Sequence, residues 1–282
     1  MPTVRLSDGA TLFYREDSFA DPWQEVETVV LLHGFCRNSD FWYAWIPHLA
    51  RHFQVVRWDA RGCGNSPAPP PGFRWSLRQY LQDLAEFLDG IGCQCAHFIG
   101  ESMGGMVLPY LALWYPERMK SFVACSSNLG LKGPMAREMA AGAASMIDAL
   151  AEAKSLEAYI RATERSRLHP GEVSEAARSW YAREWARTPK RIWEEWAAQL
   201  VPQIDLTAEL LGQVRHPALI IAPSRCVKLP LEETQFWVNH IPTVRLAVID
   251  AASQGLAFAR ADECARVAVR FLLAFNGRTA EA

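Results

Sequence analysis

The pentapeptide Gly100-Glu101-Ser102-Met103-Gly104 decides the fold of this chain, because it fits the pattern G-x-S-x-G. It stands between a short apolar run, residues 95–100, and a longer run, residues 103–115, whose apolar residues recur at helical spacing. This order predicts a buried strand, a tight turn and a helix. The glycines permit a turn in which a larger side chain would clash, and the turn directs the serine hydroxyl outward at the start of the helix.

Strand patterns alternate with helical patterns on both sides of this turn. Runs rich in β-branched residues and leucine predict strands at 3–6, 11–15, 27–32, 53–58, 95–100, 121–126, 217–222 and 244–249. Apolar residues at helical spacing predict helices at 40–52, 77–88, 103–115, 206–214, 231–241 and 263–275. Strands that alternate with helices in this way are joined by right-handed crossovers, so the sequence predicts a mostly parallel sheet.

The alternation stops between residues 134 and 201, where the sequence is rich in Ala, Glu and Arg and carries a helical signal without a strand signal. An all-helical block inserted into such a frame is expected to cover the carboxyl ends of the strands, where ligands bind. We therefore predict a core formed by residues 1–129 and 202–282 and a helical cap formed by residues 130–201. Within the cap, we expect Trp180 and Trp185 to line the substrate pocket.

The composition excludes several classes of protein. Half of the residues are hydrophobic and the net charge is −2, so the chain can bury a full core but offers no basic surface for nucleic acid or an anionic membrane. No apolar run reaches the roughly 18 residues that a bilayer crossing requires. The seven cysteines show no metal-ligand spacing and predict free thiols in a reducing compartment. We predict a cytoplasmic monomer or homodimer that binds neither nucleic acid nor membrane.

Two further segments accompany the serine motif. His33-Gly34-Phe35 follows the strand predicted at 27–32, and Asp59-Ala60-Arg61-Gly62-Cys63-Gly64-Asn65-Ser66 follows the strand predicted at 53–58. In this order and spacing the three segments resemble the α/β-hydrolase superfamily, in the branch that holds esterases, lactonases, enol-lactone hydrolases and carbon–carbon bond hydrolases. The resemblance covers nearly the whole chain and is most specific for residues 27 to 127.

The resemblance implies an α/β-hydrolase fold, with an eight-stranded, mostly parallel sheet and an inserted helical cap. It also implies Ser102 as the nucleophile, the backbone amides of Phe35 and Met103 as donors to the oxyanion, and no cofactor or metal. Amides at such positions stabilise the negative charge that develops on a carbonyl oxygen. We assign His33 and Gly34 to the substrate-binding side of the site, where the His33 ring is expected to fix the loop.

The chain departs from the family pattern at the two remaining members of the triad. The family places an acid and then a histidine after the serine. Cys226 holds the position expected for the acid, and Gln254 holds the position expected for the histidine. The loop Ser126-Ser127-Asn128, which carries the acid in some relatives, has no carboxylate, and no histidine follows His240. We therefore include Cys226 and Gln254 in the candidate catalytic set as replacements.

These replacements bear directly on the chemistry. A serine hydroxyl is a weak nucleophile until a base removes its proton, and a glutamine amide has no group that titrates near neutral pH. Loss of triad members costs about 10⁴- to 10⁶-fold in rate. Three explanations stay open: a pocket used for different chemistry or for binding alone, a substitute base, or a deliberate replacement that traps a ligand. The candidates for a substitute base are His33, Asp250, His169 and a water held by Gln254.

The sequence as a whole predicts an enzyme of serine-hydrolase lineage with a degenerate triad. Its substrate would be a small ester, lactone or β-dicarbonyl compound, and ordinary hydrolysis would be weak or lost. A non-hydrolytic enzyme of lyase or decarboxylase type is also compatible with the sequence, because its chemistry depends more on charge stabilisation than on a base. So is a non-catalytic protein that keeps the pocket for a ligand. A purely structural partner would instead show an occluded pocket.

Overall fold

The computed structural model describes residues 2–130, 148–150 and 152–275, without the side chain of residue 166. In this part of the chain, eight strands form one open sheet. The order across the sheet is β1-β2-β4-β3-β5-β6-β7-β8; β1 and β2 run antiparallel, and β3 to β8 run parallel. In chain order the strands are β1 Thr3–Arg5, β2 Thr11–Asp17, β3 Thr28–Leu32, β4 Gln54–Trp58, β5 Ala96–Glu101, β6 Met119–Cys125, β7 Ala218–Pro223 and β8 Val244–Ile249. The predicted fold class is confirmed.

Helices connect the strands and cover both faces of the sheet. The α-helices described are α1 Ile46–Leu49, α2 Leu77–Gly90, α3 Met103–Met106, α4 Leu108–Trp114, α5 Leu156–Thr163, α6 Glu175–Trp185, α7 Lys190–Glu195, α8 Ala208–Gln213, α9 Leu231–His240, α10 Leu256–Ala259 and α11 Ala261–Leu273. Four of them begin after a hydroxyl side chain that accepts a hydrogen bond from the N–H three residues on, namely Ser76, Ser155, Ser174 and Thr207. None of the described helices has the length and apolar character needed to cross a bilayer.

Two predicted helices are interrupted, and a proline lies near each interruption. The helix predicted at 40–52 is a 3₁₀ segment, Ser39–Trp45, followed by the single turn α1, which has Pro47 in its first turn. The helix predicted at 103–115 divides into α3 and α4, and Pro109 lies in the first turn of α4. Proline has no N–H to donate to the preceding turn, and it is therefore tolerated best in the first turn of a helix, where the N–H groups have no partner within the helix. Each helix accordingly begins anew just before its proline.

The central strands are buried on both faces, as the parallel arrangement requires. Every residue of β5 and β7 is buried, whereas the edge strand β8 is mostly exposed or half-buried. One apolar cluster packs on each face of the sheet, and the cluster that contains Val30, Leu32 and Phe98 continues into the cap through Trp193 and Trp196. The central strands therefore share one apolar cluster with the described helices of the inserted segment.

The inserted segment leaves and rejoins the core at one place. Gly130 and Asp205 form an isolated antiparallel bridge, and the Leu206 N–H donates to the Leu129 carbonyl at 2.9 Å. Between them the described part is helical: α5, α6 and α7 are followed by a π-helical turn, Trp196–Leu200, and a 3₁₀ turn, Val201–Gln203. The rest of the predicted cap, residues 131–147 and 151, lies outside the described residues. The cap limits 130 and 201 stay a prediction.

Candidate active site

Ser102 occupies a strained turn between β5 and α3. Its φ is 52° and its ψ is −118°, a backbone conformation that residues other than glycine rarely adopt. The turn is tight because a Cβ added at Gly100 would lie 2.2 Å from the Gly104 carbonyl oxygen, and one added at Gly104 would lie 2.3 Å from the Leu32 carbonyl oxygen. The Ser102 N–H donates to the carbonyl of Cys125 at 3.0 Å, which fixes the turn to the end of β6.

The loop after β3 packs directly against this turn. A Cβ added at Gly34 would lie 3.3 Å from the Ser102 Cβ and 2.5 Å from Oε2 of Glu101. The Phe35 carbonyl, in turn, accepts a hydrogen bond from Nε1 of Trp185 at 2.8 Å. Met103 is the first residue of α3, so its N–H has no acceptor within that helix. The structure thus brings Gly34, Phe35 and Met103 around the Ser102 turn.

His33 is buried and both of its ring nitrogens have partners. Nε2 accepts from the Ala60 N–H at 3.0 Å, so Nδ1 carries the proton and donates to the Gly34 carbonyl at 2.8 Å. Burial lowers the pKa of the imidazole and favours this neutral form. The ring joins the loops after β3 and β4, and its one basic nitrogen already accepts a hydrogen bond. This arrangement argues against His33 as a substitute base.

Gln254 lies beside the serine turn through its backbone. Its carbonyl accepts from the Ser126 Oγ at 2.5 Å, and Ser126 directly follows Cys125, the residue that accepts from the Ser102 N–H. Cys226 is buried in the turn after β7, and burial raises the pKa of its thiol, so the thiol is neutral. Among the described residues, no hydrogen bond joins the Cys226 thiol to Gln254.

The two cap tryptophans predicted to share a pocket lie in different environments. Trp185 is buried and lies against the loop after β3 through its bond to Phe35. Trp180 is half-buried and stacks on Phe258, with ring centroids 5.7 Å apart and planes within 2°. Trp180 and Phe258 line a cleft of about 470 Å³ together with Asp40, Tyr43, Ala177 and Glu184, and Ser102 is not part of its wall. The pocket-lining role of Trp180 stays a prediction.

Two further candidate bases, Asp250 and His169, have hydrogen-bond partners other than the serine. The Asp250 carboxylate is exposed and accepts from the Ser224 hydroxyl at 3.0 Å and from Nε of Arg225 at 2.8 Å. The Arg225 guanidinium holds the pKa of Asp250 below its usual range. The exposed His169 accepts from the Gly171 N–H through Nδ1 at 3.3 Å. Neither side chain has a described contact with Ser102 or Gln254.

A buried ion pair beside the serine was not predicted from the sequence. Nη1 of Arg37 lies 2.6 Å from Oε2 of Glu101, and the guanidinium also donates to the hydroxyl of Tyr181 in α6. Burial raises the pKa of Glu101, and Arg37 opposes that effect. The rings of Phe41, Tyr181 and Trp185 surround the guanidinium, with centroids 5.2, 5.0 and 4.9 Å from its carbon. The charged residue between Gly100 and Ser102 was the one signal of this pair in the sequence.

A second unpredicted contact joins the cap to the loop that carries Gln254. The Glu172 carboxylate accepts from the Ala252 N–H at 2.7 Å, and from the N–H and Oγ of Ser253 at 3.1 and 2.6 Å. The neighbouring cap backbone adds two bonds: the His169 N–H donates to the Ser253 Oγ at 2.8 Å, and Arg167 accepts from the Gly255 N–H at 2.9 Å. Nothing in the sequence pattern singles out Glu172.

The seven cysteines carry free thiols, as predicted, and no group of three His, Cys, Asp or Glu side chains within the described residues is arranged to hold a metal ion. The candidate site therefore comprises the strained Ser102, the segments that carry the Phe35 and Met103 amides, and the neutral side chains of Cys226 and Gln254, whose assignment to the acid and base positions stays a prediction. This set can orient a carbonyl compound and stabilise negative charge on its oxygen.

The fold and this serine turn define a member of the α/β hydrolase fold family, whose sequence model matches residues 27–222; the chain belongs to that family. Over 230 residues it is 26% identical to the putative carbamate hydrolase RutD of Stutzerimonas stutzeri, a match that covers 80% of this chain and 84% of that protein. A match of 103 residues to bifunctional epoxide hydrolase 2 of Sus scrofa, at 37% identity, covers 35% of this chain and 18% of that protein.

Solved structures match over nearly the full length of the chain. A hydrolase from Pseudomonas aeruginosa PA01 is 27% identical with a TM-score of 0.81, and the match covers 98% of each chain. The enol-lactonase from Burkholderia xenovorans LB400 is 22% identical, also with a TM-score of 0.81, over 96% of this chain and 100% of that one, a likeness that shows the fold. These proteins are hydrolases, and the predicted hydrolase lineage is confirmed.

Proposed function

We propose that this chain is an enzyme that acts on a small ester, lactone or β-dicarbonyl compound through Ser102. The observation that carries the proposal is the backbone of Ser102, which has φ of 52° between two glycines whose hydrogens lie against neighbouring backbone. A conformation of this kind costs about 1–3 kcal/mol and persists where surrounding structure enforces it, most often at functional sites. In this proposal the turn directs the Ser102 hydroxyl toward the substrate side of the sheet, where it can attack or orient a carbonyl carbon.

The backbone amides of Phe35 and Met103 serve, in this proposal, as the oxyanion hole. Both belong to segments that pack on the serine turn: Gly34 approaches the Ser102 Cβ, and Met103 opens α3. Preorganised amides stabilise an oxyanion without reorganising during the reaction, and the loss of one such donor costs about 10²- to 10³-fold in kcat. This stabilisation would act on any carbonyl compound that places its oxygen between the two amides.

The expected rate of ordinary hydrolysis is low, because Cys226 and Gln254 are both neutral where the family carries an acid and a base. Without a base, the Ser102 proton has no acceptor, and the oxyanion hole and binding alone leave about 10³- to 10⁴-fold over water. The names of the relatives support a carbonyl substrate: the similar proteins include a putative carbamate hydrolase and an enol-lactonase.

The test is hydrolysis of p-nitrophenyl acetate and p-nitrophenyl butyrate by the wild-type chain, Ser102→Ala and the double variant Cys226→Asp/Gln254→His. We expect wild-type rates near background and a gain on the order of 10³-fold or more in the double variant, because the missing base and acid are restored. Adding Ser102→Ala to the double variant should abolish that gain. A folded double variant that stays at background would contradict the proposal.

A second candidate function is non-hydrolytic chemistry of lyase or decarboxylase type, or ligand binding alone. The neutral pair Cys226 and Gln254 favours it, since charge stabilisation by the Phe35 and Met103 amides needs no proton acceptor. If a β-keto acid loses carbon dioxide in a Ser102-independent reaction while esters are untouched, this candidate replaces ester hydrolysis. If a β-diketone binds unchanged, the chain is a binding protein.

We further propose that the chain acts in the cytoplasm as a monomer or homodimer, with a small molecule as its partner and without binding nucleic acid or membrane. Seven free thiols suit a reducing compartment, and a net charge of −2 offers no attraction for polyanions.

A further inference from the structure

The loop that carries Gln254 is held by one carboxylate from the cap. Glu172 accepts hydrogen bonds from the N–H groups of Ala252 and Ser253, at 2.7 and 3.1 Å, and from the Ser253 Oγ at 2.6 Å. Its side chain is 5% exposed. These donors belong to the two residues directly before position 254, so the carboxylate fixes the backbone from which that side chain projects.

The surroundings of Glu172 stabilise its ionised form. Besides three hydrogen bonds, guanidinium nitrogens of Arg225 and Arg260 lie 3.9 and 3.8 Å from its Oε1. Burial alone would raise the pKa of Glu172, but the hydrogen bonds, that of the Ser253 Oγ first among them, outweigh burial and lower it. A negative charge is therefore present at the cap side of the loop at neutral pH.

Within the described residues of the core, no comparable negative charge contacts this loop. The position expected for the acid holds the neutral thiol of Cys226. The side chain of Asp250, on the loop itself, is 82% exposed and is paired with Arg225. Among the described residues, Glu172 is thus the buried carboxylate that contacts the segment 252–254.

We propose that Glu172, a cap residue, is the acidic positioning residue of this site and has taken over the place of the acid missing from the core. The proposal rests on the proposed function, in which position 254 works beside Ser102. In a complete triad the acid orients the base and stabilises it when it becomes charged. Glu172 fixes the backbone at Ala252 and Ser253, from which position 254 follows, and in this proposal its charge would also stabilise an imidazolium at position 254.

One consequence separates this role from a purely structural latch. If Glu172 replaces the acid, the single change Gln254→His restores a working serine, base and acid without Cys226→Asp. Of the charged groups packed on this loop, Arg225 and Arg260 favour a neutral imidazole and Glu172 favours an imidazolium. If Glu172 acts as the acid, the imidazole introduced by Gln254→His should titrate above the usual histidine pKa. If Glu172 only holds the cap on the core, Glu172→Gln would leave the pKa of that imidazole unchanged.

The experiment compares four variants in p-nitrophenyl butyrate hydrolysis: Gln254→His alone, and the same change combined with Cys226→Asp, Glu172→Gln or Glu175→Gln. Glu175 is the matched control, because it is an exposed cap carboxylate that bonds to Arg161 and Arg178. The readouts are kcat, KM, the pH profile of kcat/KM and the melting temperature of each variant.

We expect Gln254→His alone to gain about 10²-fold or more over the wild-type chain, with Cys226→Asp adding less than about 10-fold. Glu172→Gln should lower kcat of Gln254→His by about 10-fold or more, with KM nearly unchanged. It should also move the acidic limb of kcat/KM to lower pH by roughly one unit, because the imidazolium loses its partner. Glu175→Gln should move none of these values.

Two results would overturn the proposal. The first is a Glu172→Gln variant of Gln254→His that keeps its kcat and its acidic limb. The second is activity that appears only with Cys226→Asp, a result that leaves the proposed function standing. If neither combination acts through Ser102, the proposed function fails as well. Should Glu172→Gln not fold, NMR titration of the Gln254→His protein decides: an imidazole pKa at or below about 6.5 contradicts a carboxylate partner.

Discussion

At the scale of single residues, the charges beside the serine are arranged for position rather than for proton transfer. Glu101 precedes Ser102 and is buried with Arg37, and its Oε2 lies 2.5 Å from the place that a Cβ at Gly34 would occupy. A buried ion pair gives little net stability, because removing two charges from water costs about as much as their attraction returns. Its effect is specificity: the pair accepts one geometry of the loop after β3 against the serine turn.

The change Glu101→Gln tests this interpretation. It leaves the Arg37 guanidinium buried without a counter-charge, so the free energy of unfolding should fall by about 3–5 kcal/mol. Urea unfolding at neutral pH measures the loss. The control is the double change Arg37→Met/Glu101→Leu, which removes both charges and should recover a large part of it. A single variant within about 1 kcal/mol of the wild-type chain would contradict the argument.

At the scale of helices and strands, the local sequence pattern predicts the order of the elements but not the contacts between them. The strands were predictable because parallel strands buried on both faces are continuous apolar runs, as in β5 and β7. Two helices were predicted as continuous and are interrupted near Pro47 and Pro109, a steric effect that apolar spacing cannot reveal.

The site was predictable only in part, for a physical reason. Ser102 and the loop 33–35 belong to contiguous motifs, whereas the cap contacts join residues that are far apart in the chain. Trp185 lies 150 positions from its acceptor Phe35, and Glu172 lies 80 positions from Ala252. No short-range pattern encodes such pairs, because each partner is an ordinary helix or loop residue until the cap packs on the core.

The two cap tryptophans give a prediction at this scale. In the Cys226→Asp/Gln254→His background, Trp185→Phe removes the hydrogen bond to the Phe35 carbonyl, so the loop carrying the Phe35 amide loses a support. We expect a stability loss of about 1–3 kcal/mol and a lower kcat, because the half-buried Phe35 carbonyl is left without its donor. Kinetics with p-nitrophenyl butyrate check the second effect. Trp180→Phe is the matched control, and an equal fall in kcat there would show that both tryptophans serve the serine.

At the scale of the whole molecule, α6 and the segment before it connect the loops of the site. Tyr181 reaches the ion pair beside the serine through Arg37, Trp185 holds the loop after β3, and Glu172 holds the loop before α10. The predicted cap therefore contacts the loops of the candidate site directly. Any condition that releases the cap should loosen the three loops together.

We expect low pH to be such a condition. The direction of the effect follows from the pKa of Glu172. The folded protein lowers the pKa of Glu172 below 4.5, so its bonds stabilise the closed cap at neutral pH, and that stabilisation is lost as pH falls through the lowered pKa. Protection of the Ala252 and Ser253 amides from hydrogen exchange, corrected for the intrinsic rate, should fall below about pH 4.5 and before global unfolding, because these amides donate to the carboxylate. In Glu172→Gln, exchange at both amides should be faster at pH 7 and, after correction for the intrinsic rate, should change little with acid. The pKa of Arg225 is raised by its hydrogen bond to Asp250, so this guanidinium cannot mimic the effect. Protection that is equal in both proteins at pH 7 would mean that the neighbouring backbone bonds, and not the carboxylate, hold the cap on this loop.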